Sequence, residues 1–200
     1  AAVRWMRAQA ETYRIDPERI YALGNSAGGH LATMLAATPH VDEFEGDQNL
    51  GHSSAIRAAV ALYPPVDLRV YRDPETWIRI AGVSTRLVER FVGGSSRGSD
   101  LPFLAASPIS YIGPNTAPTL FVHGDRDTLV PIESIQQAHD ALRRLGVSTR
   151  FITMHNRGHG FDHLYPRSRR RAFRQVLAFL SEHGGSEVVS ANAPFTTPSR

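Results

Sequence analysis

Gly24-Asn25-Ser26-Ala27-Gly28-Gly29 joins a short aliphatic run, Arg19-Ile20-Tyr21-Ala22-Leu23, to a helix-forming one, Leu31-Ala32-Thr33-Met34-Leu35-Ala36-Ala37. A strand, a tight turn and a helix in that order leave little choice of local geometry. Glycines two positions either side of Ser26 admit a bend that bulkier side chains obstruct, and the bend lifts the hydroxyl clear of the sheet. The amide of Ala27 then opens a helix, where unpaired N–H groups and the positive end of the dipole can hold an anion. One turn thus offers a nucleophile and half of an oxyanion hole. A match this short also arises in ordinary glycine-rich loops, so its weight comes from the strand-to-helix context.

A serine hydroxyl needs a base to take its proton, and the base needs an acid to fix its tautomer. The acid is sought in Thr119-Leu120-Phe121-Val122-His123-Gly124-Asp125-Arg126-Asp127. This apolar run reads as a buried parallel strand breaking into a loop at its C-terminal edge, where open α/β sheets place their sites. Asp127 is preferred because it lies further past the strand end, which leaves Asp125 as a turn former. The base is read as His159, held between Gly158 and Gly160 after a second strand-like run, Thr149–His155. Among the other histidines, His30, His139 and His183 fall on helices, His40 and His52 in polar loops, and His123 at a strand end. His155 and His163 remain as rival bases without the paired glycines.

The chain order Ser26, Asp127, His159 is that of the α/β-hydrolases and differs from the chymotrypsin and subtilisin orders. The blocks at 24–32, 106–112, 117–131 and 158–161 together resemble the bacterial esterase and lipase branch of that superfamily. The nearest likeness is to its acetyl-xylan and feruloyl esterase-like group, with hormone-sensitive-lipase-like esterases close by. The resemblance covers roughly residues 1–180. It implies Ser26 as nucleophile, Asp127 as acid, His159 as base and the Ala27 amide as an oxyanion donor. It also implies a His-Gly-Gly loop upstream of the elbow, and nothing before Gly24 can play that part. Residues 1–15 read as one helix instead, with Val3, Trp5, Met6, Ala10, Tyr13 and Ile15 near helical spacing. The expectation is therefore the C-terminal portion of a longer, N-terminally truncated hydrolase, its sheet strands near 19–24, 58–63, 119–123 and 149–155, with the Ser26 strand at an open edge.

With 200 residues and 42% hydrophobic content, the chain can bury one sizeable core. No run approaches the roughly 18 apolar residues of a membrane span. The absence of cysteine excludes disulfides and thiolate metal sites and is compatible with either side of a membrane. A net charge of +3 invites a nucleic-acid reading, but all 22 basic residues are arginine, a bias spread over the whole chain. The densest cluster, Arg167 to Arg174, falls on a last helix whose apolar stripe includes Phe173, Val176, Leu177 and Phe179. No nucleic-acid partner, metal or cofactor is expected.

Ala58–Tyr63 reads as a buried strand stopped by Pro64-Pro65, and residues 132–145 as an amphipathic helix. Residues 66–110 break the strand-helix rhythm and read as a cap insertion, whose Tyr71, Trp77, Phe91 and Phe103 line a pocket or form a private core. The domain is placed at 1–183, with a Ser-, Thr- and Pro-rich disordered tail over 184–200. The fold class expected is α/β, a mostly parallel sheet with helices on both faces. The function expected is hydrolysis of small-acyl or carbohydrate-linked carboxylic esters through an acyl-enzyme. The alternatives are a prolyl-oligopeptidase-type peptidase and a catalytically silent binding protein of the same fold.

Overall fold

The computed structural model describes residues 1–39, 41–72 and 85–184. His40, Asp73-Pro74, Trp77 and, apart from Gly184, the expected tail lie outside them.

Four strands, β1 (Tyr21–Asn25), β2 (Ala58–Leu62), β3 (Thr119–Gly124) and β4 (Thr149–Met154), pair in the order β1-β2-β3-β4. Every pairing is parallel, with Tyr21 opposite Ala58, Ala59 opposite Thr119 and Thr119 opposite Thr149. Strands buried on both faces need no polar alternation, and β2 and β3 are buried throughout. Alternate residues still take opposite sides. Ala58, Val60, Leu62, Leu120 and Val122 pack on one face with Ala172, Val176 and Phe179 of α8 (Pro166–Glu182). On the other face, Ala61 and Phe121 meet Ile135, Ala138 and Leu142 of α7 (Ile132–Arg144). Ala59 on that face meets Val3 of α1 (Ala2–Ala8) and Ala36 of α3 (Ala27–Ala37). The arrangement is an α/β sheet with helices on both faces.

The single helix expected over 1–15 is two, α1 and α2 (Ala10–Tyr13), parted at Gln9. Trp5 and Tyr13, counted in its apolar stripe, are exposed and lie against each other with ring centroids 5.3 Å apart. Arg4, in contrast, is buried and paired with Glu45 in the short helix α4 (Asp42–Glu45).

Between β2 and β3 the described residues form a 3₁₀ turn at Leu68–Arg72, helices α5 (Thr85–Val92) and α6 (Leu101–Ala105), and a second 3₁₀ turn at Pro108–Tyr111. Leu68, Tyr71, Val88 and Phe103 give this stretch a small core of its own. Phe103 is wholly buried there, whereas Phe91 is 62% exposed.

Candidate active site

β1 ends at Asn25 and α3 starts at Ala27, so the reversal falls on Ser26 alone. Ser26 takes φ 51° and ψ −120°, a backbone state costing about 1–3 kcal/mol for a residue with a side chain. The surroundings hold it there. The Ser26 N–H donates to Leu62 O at 2.9 Å, and its carbonyl accepts from His30 N–H at 3.0 Å. The turn is also tight enough that Gly24 backs directly onto the Gly28 peptide.

The second contribution comes from the loop after β3. Gly124 passes so close to Arg157 O that a Cβ would lie 2.1 Å away, and Arg126 N–H donates to the same oxygen at 2.9 Å. The acid loop and the histidine loop are thereby locked together. Asp127 has no exposed side-chain surface, and its Oδ1 accepts from the N–H groups of Leu129 at 2.8 Å and Val130 at 2.9 Å. Its Oδ2 lies 2.8 Å from His159 Nδ1, and His159 Nε2 lies 2.9 Å from Ser26 Oγ. Because a carboxylate only accepts, Nδ1 carries the proton, which leaves Nε2 to accept from the serine hydroxyl.

Burial pushes the Asp127 carboxyl up, but the hydrogen bonds from His159 and Val130 and the neighbouring imidazoles outweigh it and hold it below the usual carboxylate range. His123, wholly buried, donates from Nε2 to Val130 O at 3.0 Å and lies 3.5 Å from Asp127 Oδ2. Burial keeps its pKa down, so it stays neutral. The rival histidines are engaged elsewhere. His155 Nδ1 lies 3.0 Å from Asp125 Oδ2, and His163 Nε2 lies 2.9 Å from Asn25 Nδ2. Asp125 does more than form a turn, since its Oδ1 also accepts from Asn156 N–H at 2.6 Å and ties the two loops.

Ser26 and His159 open onto a cavity of about 390 Å³ walled by Leu68, Tyr71, Val88, Phe91, Leu129 and Val130. Ala27 and His30 also border it. His30, read from the sequence as an ordinary helix residue, is fixed by a 2.8 Å contact from Nδ1 to Pro65 O. Ala27 is the first residue of α3, whose leading N–H groups have no partner within the helix. His183, which opens the chain's His-Gly-Gly triplet, lies by Ser148 ahead of β4, at the sheet edge opposite Ser26. It offers no oxyanion donor.

The family model BD-FAE matches residues 1–142. The chain belongs to the BD-FAE family. The matched span contains Ser26 and Asp127, while His159 lies beyond it. Among curated relatives, the esterase LipC of Mycobacterium tuberculosis is 29% identical over 80% of this chain and 39% of its own length. LipM of the same organism, a probable carboxylic ester hydrolase, is 29% identical over 93% of this chain and 43% of its own. This BD-FAE chain thus spans about two fifths of those relatives. Thermogutta terrifontis esterase 2 with propionate bound superposes with a TM-score of 0.70 at 27% identity, over 92% of this chain and 62% of that one.

Proposed function

We propose that the protein carrying this chain hydrolyses carboxylic esters of small or carbohydrate-linked type through a Ser26 acyl-enzyme, with His159 as general base and Asp127 as its acid. The observation that carries the reading is the unbroken line Ser26 Oγ, His159, Asp127, with contacts of 2.9 and 2.8 Å, at the mouth of an apolar cavity. The esterase names of the relatives support the same chemistry. As Oγ adds to the ester carbonyl carbon, its proton passes to His159 Nε2, and Asp127 stabilises the imidazolium. The N–H of Ala27 at the start of α3 holds the developing oxyanion. His159 then protonates the leaving alcohol oxygen as the C–O bond breaks. Water, deprotonated by the same ring, attacks the acyl-enzyme, and the carboxylic acid leaves with Ser26 restored.

The 66–110 stretch acts as a cap within a domain of residues 1–183, since Leu68, Tyr71, Val88 and Phe91 from its described parts wall the cavity. A fluorophosphonate probe together with p-nitrophenyl butyrate tests the reading. The wild-type protein takes the label and turns over ester, and Ser26→Ala does neither. Labelling that persists in Ser26→Ala, or an unlabelled and inactive wild type, overturns it.

A further inference from the structure

Tyr63 follows β2 with φ 40°, in the left-handed region that bulky residues avoid. Such strain persists where the surroundings over-determine it. Here the Tyr63 N–H donates to Val122 O at 2.8 Å, which keeps the backbone on the β2–β3 ladder while the ring swings towards the histidine loop. The ring meets the His159 imidazole edge-on, with centroids 4.5 Å apart and planes at 62°, and Phe161 at 5.3 Å and 76°. Its hydroxyl donates to Asp162 Oδ1 and accepts from Asn25 Nδ2 at 3.0 Å. Asn25 adjoins Ser26, and Asp162 follows His159 by three residues. One buried side chain therefore touches both the elbow and the histidine loop.

We infer that Tyr63 is a positioning residue for His159, holding the ring in the plane that joins Ser26 to Asp127; this rests on the hydrolase reading above. The two imidazole contacts fix only one axis, from Asp127 to Ser26, and leave the ring free to tilt about it. Gly158 and Gly160 on either side of His159 supply no side-chain restraint. The Tyr63 ring blocks the tilt, and the Tyr63–Asp162 bond anchors the loop that carries the histidine. Tyr63 is 1% exposed and absent from the cavity wall, so it reaches no substrate. Burial and the bond to Asp162 push its phenol pKa far up, which keeps it a donor.

The test compares Tyr63→Phe, Asp162→Leu and Asp162→Asn in the full chain, with p-nitrophenyl acetate and burst titration of active sites. Tyr63→Phe and Asp162→Leu lose the hydroxyl bridge, and each lowers kcat per titrated site about tenfold with KM unchanged, since misplacing a catalytic group by about 1 Å can cost about 10². Asp162→Asn keeps an acceptor for the hydroxyl and stays within about threefold of wild type. The downfield imidazole proton signal, identified by its loss in His159→Ala, broadens in Tyr63→Phe and Asp162→Leu alone. A fall in the titrated fraction with unchanged turnover per site, or an unaltered imidazole signal, overturns the role. A wild type without ester turnover defeats the proposed function instead, and the imidazole signal still decides on Tyr63.

Discussion

Gly24 faces the Gly28 peptide so closely that a Cβ on Gly24 would lie 2.2 Å from the Gly28 carbonyl carbon and oxygen. Gly28 itself has room, because the nearest atom to its own added Cβ is Asn25 Oδ1 at 4.0 Å. The two outer glycines of the elbow are therefore unequal. Gly24→Ala must push backbone against backbone, and it abolishes fluorophosphonate labelling and soluble folding. Gly28→Ala fills open space at a helical position and raises stability by about 0.5–1 kcal/mol. The soluble yield and labelling of Gly24→Ala and the thermal melt of Gly28→Ala, each against wild type, check the contrast.

The two aspartates after β3 separate by their partners. Asp127→Asn, Ser26→Ala and His159→Ala each lower p-nitrophenyl acetate turnover by about 10³ or more, and double variants lose little beyond the singles. Asp125 bonds His155 and Asn156, away from Ser26, so Asp125→Asn costs less than about tenfold. Steady-state kinetics on the four variants decide the assignment, and equal losses at both aspartates refute it.

Acid acts on stability through groups of two kinds, a buried carboxylate and buried imidazoles. The Asp127 carboxyl is held below its ordinary range, so its contribution is complete above about pH 4 and fades as pH falls through its folded-state pKa. His123 is neutral and buried with its pKa lowered, so the unfolded chain binds the proton first and stability falls as pH drops below about 6.5. Urea unfolding between pH 4.5 and 7.5 shows that slope in the wild type. His123→Gln makes it shallower, with His30 and His139, also held low by burial, carrying the rest, whereas Asp127→Asn extends it to lower pH, because the lost carboxylate no longer raises the His123 pKa.

The cavity beside Ser26 is walled by apolar side chains, so it is expected to favour apolar acyl carbons. Each methylene buried there is worth about 0.8 kcal/mol, so kcat/KM rises roughly fourfold per carbon from acetate to butyrate. Leu87→Trp, which adds bulk at an exposed position of the wall, brings butyrate back towards acetate while leaving acetate turnover within about twofold. A flat chain-length profile contradicts the pocket assignment.

Among the described residues β1 pairs with β2 alone, and Leu23 on β1 is 52% exposed. An uncovered edge is a template for association. The 200-residue chain is expected to self-associate with rising concentration on size exclusion, and Leu23→Lys shifts it towards monomer. A chain that stays monomeric at all concentrations shows that the edge is protected.

The candidate residues are legible in the sequence because their signals are local. Ser26 stands out by the strand, glycines and helix around it, Asp127 by its place past an apolar run, and His159 by its flanking glycines. The element limits moved slightly for local reasons. The Ser26 strand, placed at 19–24, runs over Tyr21–Asn25, because Ser26 N–H still bonds Leu62 O beyond its end. In the sequence Tyr63 is only the last residue of a buried strand. A tyrosine before Pro64-Pro65 carries no pattern that distinguishes a core ring from one aimed at a histidine nearly a hundred residues away.

Residue order and periodicity were enough for the parallel strands, the helices between them and the candidate nucleophile, since each depends on neighbours within a turn or a strand. The tie from Asp125 to His155 and Asn156, the engagement of His163, and the bridge from Asn25 through Tyr63 to Asp162 came from folding alone. These depend on loops from β1, β2, β3 and β4 meeting at one sheet edge, and distances across that edge are set by strand register and packing, which no single segment encodes.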